Sequence, residues 1–359
     1  MRIDIIDIIK GISIIMIVNV HLLSGHFFLT GSTYHVIAFF FASGLVHGMT
    51  EKWKRIDVIP FVQEKLKRLA YPFFTLSVCY ILMHMLINVI RGDKVFNVVI
   101  VDAFQKTISL QGIGTLWFLP VLFFAEIIFF LIKKIRINDS FILSVGFIVI
   151  FISSALYNIG LNDYCLYYSE SNWLPVLFGL YKLLLSSLIA IFFMDLGYSI
   201  MKYKKPIFLL DNVKKRKSFI MSAIICLFSL IVNIYYIKYY QGDLHKLDID
   251  SPVIYILCSL LGIAFVCSLS FIIQSKSSKI SKILSFFGKN SLIIMTTHTE
   301  YYINSIVYIA ILSFTSLFSY SLSNLVVSGL SIVLIMLIEI PIIYLVNHTF
   351  LKRIYFLNS

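Results

Sequence analysis

Charge is what this chain has least of. Asp, Glu, Lys and Arg make up 13% of its 359 residues, against 59% apolar residues. A soluble domain carries roughly a quarter charged residues, so a water-facing surface is excluded, and the mean hydropathy of +0.92 points the same way. Polar stretches long enough to fold alone are also missing, which excludes a soluble catalytic module and leaves a single membrane domain over residues 1–359. Cysteine is sparse and badly spaced for chemistry. Four of the five (Cys79, Cys226, Cys258, Cys267) fall inside apolar runs and Cys165 stands alone in a loop, so neither a disulfide framework nor a zinc pattern is present and no metal is expected. A small-residue cleavage site is lacking after the first apolar run, which carries Lys10 and His21 and reads as an uncleaved signal anchor. There is no internal repeat and no low-complexity tract.

What is there is a succession of long apolar runs. Crossing the hydrocarbon takes roughly 20 apolar residues, and spans are predicted near 8–29, 33–50, 69–90, 115–132, 140–159, 173–200, 218–237, 252–273, 290–312 and 323–348. The expected fold is an all-α polytopic bundle of about ten transmembrane helices. Lys and Arg orient it. Alternate loops and the two ends hold 23 of them, while the opposite loops hold five: Arg91, Lys94, Lys106, Lys238 and Lys246. By the positive-inside rule both termini are cytoplasmic. The net charge of +12 is spread beside the spans rather than gathered on one face, so anionic membrane lipids account for it and no nucleic-acid partner is expected.

Two linkers carry structure of their own. The outer segment from Asp93 to Leu110 mixes apolar and charged residues as an interfacial or re-entrant piece does. The inner segment from Lys52 to Arg68 contains Pro60 and ends in the basic cluster Lys65-Leu66-Lys67-Arg68.

Ionisable residues inside spans are expensive and ask for a reason. The first helix offers three. Lys10 and His21 are eleven residues apart, which places them within roughly 20° of one helical face and about 16 Å apart along the axis, with Asp7 one turn before Lys10. A cation near the cytoplasmic surface is thus joined to a deeper imidazole by a stripe about as long as a pantetheine arm. Two bland roles compete with this: Lys10 as a snorkelling anchor and His21 as a core histidine bonded to a neighbouring helix.

Several segments together resemble the acyltransferase-3 family of integral membrane acyltransferases, and within it the fucose 4-O-acetylase-like branch. Asp7, Lys10, Gly11 and His21 match that family's first helix, with Lys10 where the wider family has Arg. Tyr34-His35 followed by Phe39-Phe40-Phe41-Ala42-Ser43-Gly44 is similar to its second helix, although Val36-Ile37 replaces Met-Pro; packing through Ser43-Gly44 explains this pair better than chemistry. Lys65 to Arg68, ending in Tyr71-Pro72, looks like its basic-x-x-Arg segment, and the same cations also suit an inside-positive cap. Leu116-Trp117-Phe118-Leu119-Pro120 matches another signature, with Glu126 two turns deeper, either a buried partner for a His or Lys or a structural hydrogen bonder. Gly288 to Ser291 followed by His298 completes the series in the expected order.

The resemblance implies transfer of an acyl group, by default acetyl from cytoplasmic acetyl-CoA, to a hydroxyl of a surface polysaccharide or its lipid-linked precursor in the bacterial cytoplasmic (inner) membrane. His21 is then the base or the acyl carrier, with Asp7 orienting Lys10. Lys10, Lys65 and Arg68 hold the phosphates of acetyl-CoA, Trp117 serves the carbohydrate acceptor, and Glu126 and His298 either bind that acceptor or orient His21. The competing class is a glycan or glycolipid exporter, but the paired broken helices of a transporter are not seen: Pro120 and Pro341 lie in spans that do not correspond. The acceptor sugar and a homo-oligomeric state are left open.

Overall fold

The computed structural model of the protein describes residues 4–22, 34–91, 96–160, 174–204, 215–237, 242–299, 303–317, 324–349 and 351–354. Among them every regular element is a helix and no strand occurs. In chain order these are α1 (Asp4–Val20), α2 (His35–Thr50), α3 (Val58–Lys65), α4 (Tyr71–Arg91), α5 (Phe96–Ile108), α6 (Phe118–Lys134), α7 (Asp139–Asn158) and α8 (Leu174–Lys204). Then follow α9 (Lys215–Ile237), α10 (Pro252–Lys276), α11 (Ser278–Lys289), α12 (Ser291–Thr297), α13 (Ile303–Leu317), α14 (Asn324–His348) and α15 (Leu351–Ile354).

Seven helical stretches are long and apolar enough to cross a membrane: Val58–Ile87, Gly114–Lys134, Asp139–Asn158, Val176–Tyr203, Phe219–Tyr236, Pro252–Lys276 and Val326–His348. Two shorter apolar helices, His35–Thr50 and Ile303–Phe314, accompany them. The protein is therefore an all-helical, multi-pass membrane protein. Its apolar surface agrees: along α9, Ile220, Met221, Ile224, Leu227, Phe228 and Ile231 are all more than half exposed, a row that only acyl chains can solvate cheaply.

Two predicted spans differ in detail. The first is helical only over Asp4–Val20, and residues 23–29 of it lie outside the described residues, as does Cys165. The ninth, expected as one helix over 290–312, is two: α12 stops at Thr297 and α13 starts at Ile303. The reason is local competition for carbonyls. Thr296, Thr297 and His298 all bond back to backbone oxygens of the preceding turn, and the Asn304 amide then closes on the His298 carbonyl at 3.2 Å.

The chain gathers into two compact units. One comprises residues 1–52, 192–244 and 249–343. Here α1 is buried nearly all round, against α2, α10, α11 and α12. Glycine sets how closely it is held. A Cβ on Gly11 would strike the Leu284 carbonyl of α11, and one on Gly288 would strike the Asp7 carbonyl of α1, so the two backbones lie directly against each other. Gly44 meets the Met194 backbone of α8 in the same way, which is the packing role expected of Ser43-Gly44.

The other unit comprises residues 53–191, 245–248 and 344–359. The basic linker of this unit forms a helix that starts after Asp57 and is tied down by Lys134, whose ammonium donates to the Ile56 carbonyl at 2.9 Å and lies 3.1 Å from the Asp57 carboxylate. Between α3 and α4, residues Leu66–Ala70 form a π-helical turn, closed by the Tyr71 amide on the Leu66 carbonyl. The linker expected to be interfacial forms α5, with Val101, Phe104 and Ile108 exposed and Ala103, Thr107 and the following Ser109 buried. That division suits a helix lying in the membrane interface.

Candidate active site

The first unit brings together two of the residues singled out from the sequence. His21 stands on the turn that ends α1, its amide bonded to the Val18 carbonyl at 3.2 Å. His298 stands where α12 ends. Their rings meet edge to face with centroids 5.3 Å apart, and His298 Nε2 lies 3.4 Å from His21 Nδ1. His298 is completely buried, whereas His21 is exposed.

Backbone carbonyls define the tautomers. A carbonyl oxygen only accepts, so His21 Nδ1 donates to Ile17 at 2.9 Å and His298 Nδ1 donates to Ile294 at 2.7 Å. In the neutral pair each lone pair is then on Nε2. That of His298 faces the His21 Nδ1 hydrogen, and that of His21 is on the ring edge away from the Ile17 bond. When His21 takes a proton on Nε2, the positive charge spreads to Nδ1, where the Ile17 oxygen and the His298 lone pair stabilise it. Asn304 adds a restraint, donating from Nδ2 to the His21 carbonyl at 3.0 Å. The break between α12 and α13 is what delivers His298 and Asn304 to the same turn.

Asp7 and Lys10 also belong to this unit. Asp7 is buried and its carboxylate lies 4.0 Å from Lys289 Nζ on α11; Lys10 is half-buried on α1. Lys65, Arg68, Trp117 and Glu126 belong to the other unit. There the 3.0 Å ion pair of Lys65 with Glu126 is largely withdrawn from solvent, and the Lys65 ammonium also sits 5.0 Å from the centroid of the Phe61 ring. Of the alternatives for Glu126, the partner is thus a lysine. Arg68 behaves differently. Its guanidinium is 64% exposed and touches Glu64 at 3.3 Å, a surface pair that phosphate oxygens compete with readily. The π-helical turn divides the cluster, because its wider spacing turns Lys65 and Arg68 away from the common face an α-helix gives residues three apart. Trp117 stacks on His245, centroids 4.9 Å apart and planes 13° from parallel.

Other ionisable residues within the apolar runs have the following surroundings. His84 lies on Tyr80, His348 on Tyr344 and Lys182 over Phe178, while His47 and Asp195 are buried. Glu339 is fully buried and bonded to Thr297. Asn304 and His245 were not picked out by sequence reasoning. Asn304 is a polar residue in an apolar run six positions after His298, a usable signal; His245 sits in a loop with no motif around it.

The chain belongs to the acyltransferase-3 family, whose acyltransferase domain matches residues 3–344. It is accordingly a membrane acyltransferase. No curated protein and no solved structure matches it.

Proposed function

We propose that the protein is an O-acetyltransferase of the fucose 4-O-acetylase-like branch. It moves an acetyl group from cytoplasmic acetyl-CoA to a hydroxyl of a surface polysaccharide or its lipid-linked precursor, in a bacterial inner membrane. Ten spans with cytoplasmic termini form one acyltransferase-3-like domain over residues 1–359. The observation that carries the reading is the His21–His298 contact.

A sugar hydroxyl is a weak nucleophile at neutral pH and needs a base beside it. In the proposed step His21 Nε2 removes the hydroxyl proton as the oxygen attacks the thioester carbonyl. The tetrahedral intermediate collapses with loss of the carbon–sulfur bond, and the coenzyme A thiolate leaves with the proton that His21 returns. His298 stabilises the transient imidazolium through Nδ1 of His21. Arg68 and Lys10 serve the phosphates of acetyl-CoA, and Asp7, 4.0 Å from Lys289, orients Lys10. Lys65 contributes to the donor site through its pair with Glu126. Trp117 serves the acceptor.

The test is incorporation of label from acetyl-CoA into surface glycan by membranes containing wild type or His21→Ala, with insertion verified in both. Incorporation lost in the variant supports the assignment. Full activity without His21 overturns the role of the imidazole, and no incorporation by wild type in the presence of native acceptor shifts the reading to a glycan exporter.

A further inference from the structure

The outward face of α11 has no part in the proposed reaction. Leu284, Phe287 and Gly288 of this helix are buried where it packs on α1, whereas Ile280, Ile283 and Phe286 are exposed by 49%, 54% and 38%. Three-residue spacing puts those three in one stripe along the helix. Lys279 and Lys282 stand beside the stripe, both exposed and with no ion-pair partner among the described residues. Residues 251–299 contain no Asp or Glu, so the formal charge of this stretch is that of Lys276, Lys279, Lys282 and Lys289. The outer two are engaged: the Lys276 ammonium lies 4.9 Å from the centroid of the Phe219 ring, and that of Lys289 lies 4.0 Å from the Asp7 carboxylate.

Where α11 lies follows from the helix before it. α10 is long and apolar enough to cross a membrane, and it ends in Gln274, Ser275 and Lys276, all exposed. Ser277 is extended, with φ −138° and ψ 104°, and breaks the helical path there. The corner is fixed by two serines: Ser277 Oγ accepts from the Ile280 amide at 3.3 Å, and Ser281 Oγ donates to the Ile273 carbonyl at 3.3 Å. α11 therefore starts at the level where α10 leaves the hydrocarbon. An apolar stripe edged by lysines at that level has the character of an interfacial helix, with its apolar residues in the acyl boundary and its ammonium groups among the headgroups.

We propose that the outward face of α11 binds the headgroups of anionic phospholipids through Lys279 and Lys282, and that the lipid bound there steadies α1. Net charge selects the lipid. A zwitterionic headgroup brings its own cation beside the phosphate, whereas an acidic one presents uncompensated negative charge to both ammonium groups. Position couples the surface to the reaction site. α11 and α1 touch backbone to backbone at Leu284 with Gly11 and at Gly288 with Asp7, so no side chain lies between them to absorb a shift, and α1 leads to Lys10 and His21. Anchoring α11 at the membrane surface thus restrains α1 as well. The proposal rests on the fold and not on which group the enzyme transfers.

The experiment uses purified full-length protein in nanodiscs of phosphatidylcholine, with or without phosphatidylglycerol. Native mass spectrometry measures the lipid retained by the protein, and amide hydrogen exchange is followed along α1. Wild type is expected to retain phosphatidylglycerol in preference to phosphatidylcholine, and α1 to exchange severalfold more slowly when phosphatidylglycerol is present. Each lysine near a charged surface is worth about fivefold in affinity, so Lys279→Gln combined with Lys282→Gln should lower retention about tenfold or more and abolish the effect on α1. Lys279→Arg combined with Lys282→Arg keeps both charges and should retain the lipid as wild type does, which separates loss of charge from damage to the helix. Equal retention of the two lipids by wild type, retention unchanged by the glutamine substitutions, or exchange of α1 indifferent to phosphatidylglycerol would each overturn the proposal. So would release of the lipid by inorganic phosphate or acetyl-CoA at equal concentration, which would give the two lysines to a soluble phosphate ligand. Neither readout needs acetyl transfer, so failure of the proposed function and failure of this surface are told apart.

Discussion

The Thr297 hydroxyl stands 2.9 and 2.8 Å from the two carboxyl oxygens of Glu339, on a helix that begins 27 residues further along the chain, and neither side chain reaches solvent to any useful extent. The same hydroxyl is 2.7 Å from the Ile293 carbonyl. It has one hydrogen for all these oxygens, and the set is satisfied when the carboxyl donates to Thr297 while Thr297 donates to Ile293. A neutral donor therefore suffices at position 339. Glu339→Gln is expected to lose less than about 1 kcal/mol of stability, and Glu339→Ala about 1–3 kcal/mol, since truncation strands buried polar groups. Thermal unfolding in detergent, with transfer activity measured in parallel, checks this; equal losses for both variants would show that the negative charge itself is needed.

His298 is next along the chain from Thr297, and its contact with His21 predicts unequal roles. His21→Ala should lower transfer about 10²–10⁴-fold, the usual worth of a positioned base. His298→Ala, which removes only the group behind Nδ1, should leave clearly measurable turnover, with the loss in kcat rather than in the KM for acetyl-CoA. Steady-state kinetics of both variants decide the order, and His298→Ala falling as far as His21→Ala would make the two rings joint participants.

Lys65 and Glu126 present a buried ion pair whose two halves depend on each other. Lys65→Met or Glu126→Leu alone is expected to destabilise by about 3–5 kcal/mol, and the double variant to recover most of that. A thermal double-mutant cycle measures the coupling. The recovered double variant then separates folding from donor binding: if Lys65 and its pair with Glu126 serve acetyl-CoA, its KM for acetyl-CoA rises although the fold is restored, and a KM near that of wild type would remove Lys65 from the donor site.

Arg68 should behave in the opposite way. Its guanidinium is held only by an exposed partner, so Arg68→Ala is expected to leave stability unchanged and to raise the KM for acetyl-CoA about tenfold, the loss of one charge-assisted hydrogen bond. A KM unaltered by this substitution would remove Arg68 from the donor site.

Gly11 and Gly288 predict a purely steric result. Alanine at either position drives a methyl group into a main-chain carbonyl of the facing helix, which no side-chain rotation relieves. Each is expected to cost about 1–3 kcal/mol by overpacking. Because α1 carries His21 and α11 leads into α12, activity should fall along with the unfolding temperature.

Composition together with the length of the apolar runs determined that the protein is helical and membrane-embedded, because a chain with so few charges cannot satisfy an aqueous surface and runs of roughly 20 apolar residues cross lipid as helices that pair their own backbone. Spacing also placed Lys10 and His21 on one helix, and the resemblance to the family's motifs picked out Gly11, Ser43-Gly44, Trp117 and His298. Residue order is enough for such features, since they arise within one helix or from one residue's size. Partnership was decided only by tertiary structure. Nothing local to Glu126 selects Lys65 over a histidine, nothing near Trp117 points to His245, and Thr297 meets Glu339 only because α12 and α14 pack together. The break at His298 was hidden for a related reason: an apolar run reads as one continuous span, while the hydroxyls and imidazole that end it act through hydrogen bonds that exist only once the chain has turned.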